Sequence, residues 1–267
     1  AKTFAREAVE AARRQNDYDT AARGYSLLYE LAYVVESDPR RAMRYIQMVE
    51  ACAEQSGDVH VRAWAAMGAF YIAIEAGDVE TALVYERALS AAEVVQSAQE
   101  ASEALVPAQA LRWAWNRDFA RAYRLVADSG ESQISPERRA RRFAEAALYA
   151  AAADLTDEAR TAVESADWTL SHSSFKTKGY ITAYAFLTLA IALIDGVAKA
   201  EPRLQRLIEM RAEAPPAIEA FLTATEAVYR SWTGERNHEE LLAAFAALRA
   251  QYLGGLSILL EALPVPA

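Results

Sequence analysis

Apolar and polar positions along the chain follow the period of an α-helix, and the apolar segments come in pairs. The first segment of a pair is apolar over roughly four turns, as in VRAWAAMGAFYIAIEA at 61–76 and GYITAYAFLTLAIALI at 179–194. The second segment is a narrower amphipathic stripe that follows a turn containing Gly or Asp. Because a broadly apolar helix must be covered on several sides, the pattern predicts stacked helix pairs, each touching only its neighbours.

An alanine near the start of each second helix gives the length of the repeat. In EAGDVETALVYERALSAA, at 75–92, a Gly-Asp turn precedes Ala82, and Ala42 and Ala122 hold the same place 40 residues before and after it. The later pairs continue this series with slightly different steps. Their anchor positions are Ala159, Ala198 and Leu241.

These intervals predict one helical-repeat domain over 1–267 with about six helix pairs. Residues 1–16 would be the second helix of a truncated repeat, 18–252 the repeats, and 253–267 a capping helix and exit. Pro107 falls inside a predicted helix, where we expect it to produce a kink.

The second half of this unit resembles the tetratricopeptide repeat. The matching residues are Gly77, Asp78, Ala82, Tyr85, Ala88 and Leu89. The period near 40 exceeds the family's period of about 34, the step from Ala82 to Ala88 is one residue short, and the family's Trp-Leu-Gly is absent. The resemblance implies an all-α right-handed superhelix whose first helices line the inner side.

Longer, degenerate repeats of this kind are similar to the sensor region of large ATP-binding LuxR-type transcriptional regulators. That resemblance implies ligand sensing or protein binding in bacterial transcription regulation and signal transduction. No nucleotide-binding or DNA-binding motif of that family occurs in the sequence, so neither activity is implied.

The composition agrees with an all-α chain and narrows the partners. Hydrophobic residues make up 53%, alanine is abundant, and only 10 glycines and 8 prolines are present. The net charge of −9 disfavours binding to nucleic acid. The longest uncharged run, at 179–194, is shorter than the about 20 residues of a membrane span, so we expect no membrane association.

A single cysteine, Cys52, excludes an internal disulfide and fits a reducing compartment. No signal-peptide pattern is present and the first residue is not Met. We therefore expect a cytoplasmic chain that is either a processed protein or an excised domain of a larger protein, and we favour the excised domain.

Residues that carry chemistry are few. No phosphate-binding glycine motif is present, and the three histidines lie in predicted turns without metal-ligand spacing. We therefore predict no cofactor, no metal and no enzymatic activity. An all-α enzyme is the less favoured alternative, with Glu226 and Asp195 as acid and base.

The strongest local charge feature is the arginine tract in SPERRARRFAEA. Arg138 and Arg142 fall in the first turns of a predicted helix, whose positive end favours an anionic ligand or an acidic partner. The alternative is a solvated face that Glu131, Glu137 and Glu145 neutralise.

Aromatic residues in the first helices form the second candidate site. Large rigid rings with a polar group suit a peptide or a flat ligand, although packing between helices would account for the same residues. The candidates are Trp64, Tyr71, Leu111, Arg112, Trp115, Tyr180 and Tyr184. The sequence thus predicts a non-catalytic scaffold that recognises a protein segment or a small-molecule inducer. A protein–protein adaptor without a small ligand is the alternative, and homo-oligomerisation stays open.

Overall fold

A computed structural model describes residues 2–36, 38–89, 99–128, 136–172, 178–212, 214–235 and 238–266. These residues form fourteen α-helices, and no strand occurs among them, which confirms the all-α prediction for the part described. The helices are α1 Lys2–Arg14, α2 Tyr18–Glu30, α3 Pro39–Ser56, α4 Val59–Ala76, α5 Val79–Leu89, α6 Gln99–Trp115, α7 Phe119–Asp128, α8 Pro136–Ala152, α9 Thr156–Ser171, α10 Lys178–Asp195, α11 Val197–Arg211, α12 Pro216–Trp232, α13 His238–Ala250 and α14 Gly254–Ala262. A π-helical turn, Leu31–Val35, extends α2.

The chain divides into two compact units, Ala1–Leu105 (the N-terminal unit) and Val106–Ala267 (the C-terminal unit). In the N-terminal unit each helix from α1 to α5 packs on the next one, and α2 also packs on α4. The contact between α2 and α4 joins the first helices of two successive pairs, which is the packing expected of stacked helix pairs. The prediction of one repeat domain over 1–267 stays a prediction.

The C-terminal unit shows the same arrangement over more helices. From α7 to α14 each helix packs on the next, and three contacts join alternate helices: α8 with α10, α10 with α12, and α12 with α14. The last helix, α14, also contacts α6. The indole N–H of Trp115 in α6 donates to the carbonyl of Gly255 in α14 at 2.8 Å. This contact spans 140 residues, so the expectation that each repeat touches only its neighbours is wrong for this unit.

One turn geometry recurs between the helices. At Gly77-Asp78 the two backbone N–H groups donate to the carbonyls of Ile74 and Ala73, which is the Schellman pattern, and Gly77 is left-handed with φ 78°. The Asp78 carboxylate accepts the N–H of Thr81 at 3.0 Å and caps the next helix. Equivalent backbone bonds close the turns at Asn16-Asp17, Arg117-Asp118, Asp154-Leu155, Gly234-Glu235 and Tyr252-Leu253.

Each anchor alanine lies four residues after the residue that caps its helix. Ala82 is fully buried, and its N–H donates to the Asp78 carbonyl at 3.0 Å. A methyl side chain at this place allows the helices to approach closely. The predicted anchors Ala42, Ala122 and Ala159 are also fully buried.

The predicted anchor Ala198 is wrong, because its side chain is exposed and Ala200 is the fully buried residue. The helix α11 begins directly after Gly196, which occupies the capping position, so the anchor falls four residues beyond that glycine. The other expected irregularity, at Pro107, lies inside α6, which continues through it as one helix.

Two histidines also differ from their predicted positions in turns. His60 is the second residue of α4, where its N–H donates to the Asp58 carboxylate at 2.7 Å, and His238 is the first residue of α13. Among the helices of the described ranges, none has both the length and the apolar character needed to cross a bilayer.

Candidate functional site

The predicted binding residues lie in four helices, of which one belongs to the N-terminal unit. Their positions are Trp64 and Tyr71 in α4, Leu111, Arg112 and Trp115 in α6, Arg138 and Arg142 in α8, and Tyr180 and Tyr184 in α10. The structure brings some of them into aromatic clusters and gives others a packing role.

A tyrosine cluster forms around Tyr71 in the N-terminal unit. Tyr29 and Tyr33 stack with ring centroids 5.7 Å apart and planes at 18°, and Tyr33 meets the edge of Tyr71 at 6.1 Å and 79°. Tyr33 belongs to the π-helical turn, a rare geometry that is frequent at functional sites. The only signal in the sequence for Tyr29 and Tyr33 is their spacing of one helical turn, which places both rings on one face.

Trp64 lies seven residues before Tyr71 in α4, on the same side of the helix. Its side chain is 43% exposed, whereas the neighbouring Ala65 and Phe70 are almost completely buried. An indole in this position is available to a ligand or partner, since the core of the unit does not enclose it.

The second aromatic pair is in α10 of the C-terminal unit. Tyr180 and Tyr184 are both half-buried and stack at 6.3 Å with planes at 10°. The guanidinium of Arg203 in α11 lies 5.2 Å from the Tyr184 ring centroid and is paired with Asp167 of α9. The Tyr184 ring therefore faces the second helices of two successive pairs.

The protonation of Tyr184 follows from this environment. Burial raises the pKa of its phenol, and the nearby charges of Arg203 and Arg206 act in the opposite direction. The phenol therefore stays neutral at physiological pH, where its ordinary pKa is already about 10. A neutral hydroxyl beside two arginines can both donate and accept a hydrogen bond.

The predicted binding residues of α6 pack within the C-terminal unit. Leu111 is buried in the core with 7% exposure, and the half-buried Trp115 ties α6 to Gly255 of α14. The Arg112 guanidinium lies 5.2 Å from the ring of Trp113, which the guanidinium of Arg121 covers at 3.5 Å. The binding roles of these residues stay predictions.

The arginine tract forms the beginning of α8. Arg138 is exposed and Arg142 is half-buried. Arg141 donates to the Glu145 carboxylate at 2.9 Å, and Glu145 is only 3% exposed. Glu145 therefore belongs to the interior and not to a solvated face, while Glu131 and the side chain of Glu137 lie outside the described residues.

A surface pocket of about 470 Å³ lies beside α12 and is lined by Glu226, Arg230, Glu235 and Glu240. Arg230 bridges Glu235 at 3.0 Å and Glu201 at 3.2 Å, and Glu226 accepts from Arg211 at 2.7 Å. Of these residues only Glu226 was a candidate from the sequence, as an acid or base. Its carboxylate is held in an ion pair.

The remaining side chains that could take part in catalysis or bind a metal are separated from one another. Asp195, the other acid or base candidate, accepts from Arg160 at 2.8 Å. The thiol of Cys52 is buried, and burial raises its pKa, which disfavours the reactive thiolate. Within the ranges that the structure describes, no three His, Cys, Asp or Glu side chains are grouped to hold a metal ion.

Comparison of the chain with protein-family models, with curated proteins and with solved structures finds no match.

Proposed function

We propose that the chain is a non-catalytic recognition scaffold. Its helix pairs form a tetratricopeptide-like, right-handed superhelix of about six pairs. Aromatic side chains of the first helices bind a protein segment or a small-molecule inducer. No nucleic acid or cofactor takes part.

The observation that supports this proposal most is the difference in burial within the first helices, where alanines fill the core and aromatic rings remain partly exposed. In α4 the buried positions include Ala65 and Ala69, whereas Trp64 is 43% exposed. In α10 Ala183 and Ala185 are fully buried, while the two tyrosines of that helix remain half-buried. Rings that are held rigidly and are still accessible offer contact area at a small entropic cost.

The place of the scaffold in the cell follows from the resemblance to regulator sensor regions. We propose that it is the cytoplasmic sensing or assembly part of a bacterial transcriptional regulator. A bound ligand would favour one arrangement of the stacked pairs over another, because ligands shift the populations of existing states. The repeat-like packing of alternate helices gives the array several similar interfaces at which such a shift can be distributed.

Selection from a displayed random-peptide library tests the recognition of a protein segment. We expect peptides that bind the wild-type chain and lose about tenfold in affinity on Trp64→Ala or Tyr180→Ala, as for a ring at the centre of an interface. Phe4→Ala is the matched control, since Phe4 is a 74% exposed ring on α1 outside the proposed site.

Native mass spectrometry of the purified chain tests the small-molecule alternative. An inducer would give a mass adduct that disappears in one of these two variants, according to the unit that binds it, and persists in Phe4→Ala. If neither selected peptides nor adducts respond to the aromatic substitutions, the proposal is wrong. Peptide binding without an adduct would favour the adaptor.

A further inference from the structure

The second helix α9 carries an exposed ridge that the proposed function does not use. Positions 157, 161, 164, 168 and 172 follow each other at helical spacing and therefore share one face. All five side chains are exposed, and Trp168 is 64% exposed. We define the α9 ridge as Asp157, Thr161, Glu164, Trp168 and His172.

The indole of Trp168 is held in place although it is exposed. The ring of His172 packs on it with centroids 4.5 Å apart and planes at 36°. The His172 Nδ1 lies 2.7 Å from the Trp168 carbonyl oxygen. The same nitrogen lies 3.0 Å from the Ser171 hydroxyl oxygen, and these two contacts fix the orientation of the imidazole. The indole is thus preordered before any partner arrives.

Three features make this ridge attractive to a positive charge. The face of an indole attracts cations more strongly than any other aromatic ring. Glu164 lies one turn before Trp168 on the same face. Trp168 also belongs to the last turn of α9, where the helix carries partial negative charge.

The arginines that join α9 to neighbouring helices each form an ion pair with an acidic residue outside the ridge, although Arg160 also lies close enough to Asp157 to interact with its charge. Arg160 pairs with Asp195, and Arg203 pairs with Asp167. The chain as a whole carries a net charge of −9, which adds a long-range attraction for basic partners.

We propose that the α9 ridge is a docking surface for a basic segment of a partner protein, with an arginine or lysine side chain seated on Trp168. From position 157 to 172 the ridge extends over about 22 Å at the rise of an α-helix. That length fits a segment of several residues better than a small amine. The surface belongs to a second helix, so this proposal stands independently of the first-helix aromatic site.

The test measures fluorescence anisotropy of a dye-labelled, alanine-based peptide with arginines spaced one helical turn apart. The intact chain should bind it, more weakly at higher ionic strength. Trp168→Ala should weaken binding by about tenfold. Glu164→Gln should weaken it by about two- to fivefold, as for a charge at the edge of an interface.

Matched controls separate the ridge from general effects. Phe4→Ala removes another exposed ring, and Glu219→Gln removes an exposed carboxylate from α12, so neither should change the affinity. Trp168→Leu keeps apolar area without the π face and should bind as poorly as Trp168→Ala. Thermal unfolding of each variant verifies that it is folded.

The proposal is overturned if the arginine peptide does not bind at low ionic strength, or if Trp168→Ala and Trp168→Leu bind as wild type does. Equal binding of a peptide with glutamate in place of arginine would exclude the cationic partner. Displacement of the peptide by spermidine at equal concentration would exclude a protein segment in favour of a small polyamine.

Discussion

The two units share one construction and use their tryptophans differently. Both connect successive helices through Schellman turns, and both pack alternate helices on each other. In the N-terminal unit Trp64 projects from α4 with 43% of its surface exposed. In the C-terminal unit Trp115 is half-buried and binds the backbone of α14, far along the chain.

The difference shows that a ring in a first helix has two available roles. It becomes a tie, meaning a hydrogen-bonded link between two helices, where the backbone of another helix offers a carbonyl oxygen, as Gly255 does to Trp115. It stays exposed where the surrounding described residues do not enclose it, as at Trp64. The helical position alone does not decide between these roles, so each ring must be tested for stability and for binding.

Loss of the tie in the C-terminal unit should have the largest effect. We expect Trp115→Ala to lower the free energy of unfolding by about 2–4 kcal/mol, since it removes a large ring and the hydrogen bond from its indole N–H to the Gly255 carbonyl. Trp115→Phe, which keeps most of the ring, should cost about 1 kcal/mol. Urea unfolding followed by circular dichroism measures both. A loss below about 0.5 kcal/mol for Trp115→Ala would contradict the structural role.

A tyrosine tie in the N-terminal unit gives the next effect. The Tyr85 hydroxyl donates to the Glu50 carboxylate across two helices. Tyr85→Phe should cost about 1–2 kcal/mol at neutral pH, in the range for a hydrogen bond to a charged group that is partly exposed.

The same tyrosine predicts a dependence on pH. Burial, and then the bond to Glu50, raises the pKa of Tyr85 to about 12. In the unfolded chain the pKa of the phenol is about 10. The folded state therefore keeps the proton longer, so this stabilisation is complete below pH of about 10 and is lost as the pH rises through 12.

Urea titrations at several alkaline pH values should show that wild type loses more stability over this interval than Tyr85→Phe does. Tyr45→Phe is the control, as another half-buried tyrosine of the same unit. Parallel curves for wild type and Tyr85→Phe would show that Glu50 does not hold the phenol.

The recurring turn predicts opposite effects in the two units. Gly77 and Arg117 hold the same left-handed position, with φ of 78° and 60°. Arg117→Gly should raise the free energy of unfolding by about 1 kcal/mol, and Gly77→Ala should lower it by a similar amount, because only glycine adopts this conformation without strain. Changes of the same sign at both positions would show that the turns are not equivalent.

Removal of the exposed indole in the N-terminal unit should have the smallest effect on stability. Trp64→Ala should change the free energy of unfolding by no more than about 0.5–1 kcal/mol. Phe70→Ala in the same helix is the reference for a core ring, with an expected loss of about 3–5 kcal/mol. Similar losses for the two variants would place Trp64 in the core.

Local rules account for the part of the fold that the sequence predicted. Gly77-Asp78 signals a turn and a cap, and the anchor alanine follows at a fixed distance, so Ala82 could be placed within its helix. The rule misplaced the anchor near Ala198 because Gly196 alone acts as both turn and cap, which shifts the buried position to Ala200.

Features that depend on distant contacts could not be predicted. The bond between Trp115 and Gly255 joins residues 140 positions apart, and no local pattern encodes it. The π-helical turn at Leu31–Val35 inserts an extra residue into an apolar run, where helical periodicity gives no warning. Tyr33 was missed as a neighbour of Tyr71 for that reason. The ion pair of Glu226 with Arg211 could not be predicted because the two residues lie in different helices, whose packing the sequence pattern does not give.

The affinity of a library-selected peptide for Trp64→Ala, measured by isothermal titration calorimetry together with the variant's free energy of unfolding, tests the central claim most directly. We predict an affinity about tenfold lower than that of wild type, with stability unchanged within about 0.5 kcal/mol. Unchanged affinity, or a weaker affinity that is accompanied by the stability loss of a core substitution, would contradict recognition through the first-helix rings.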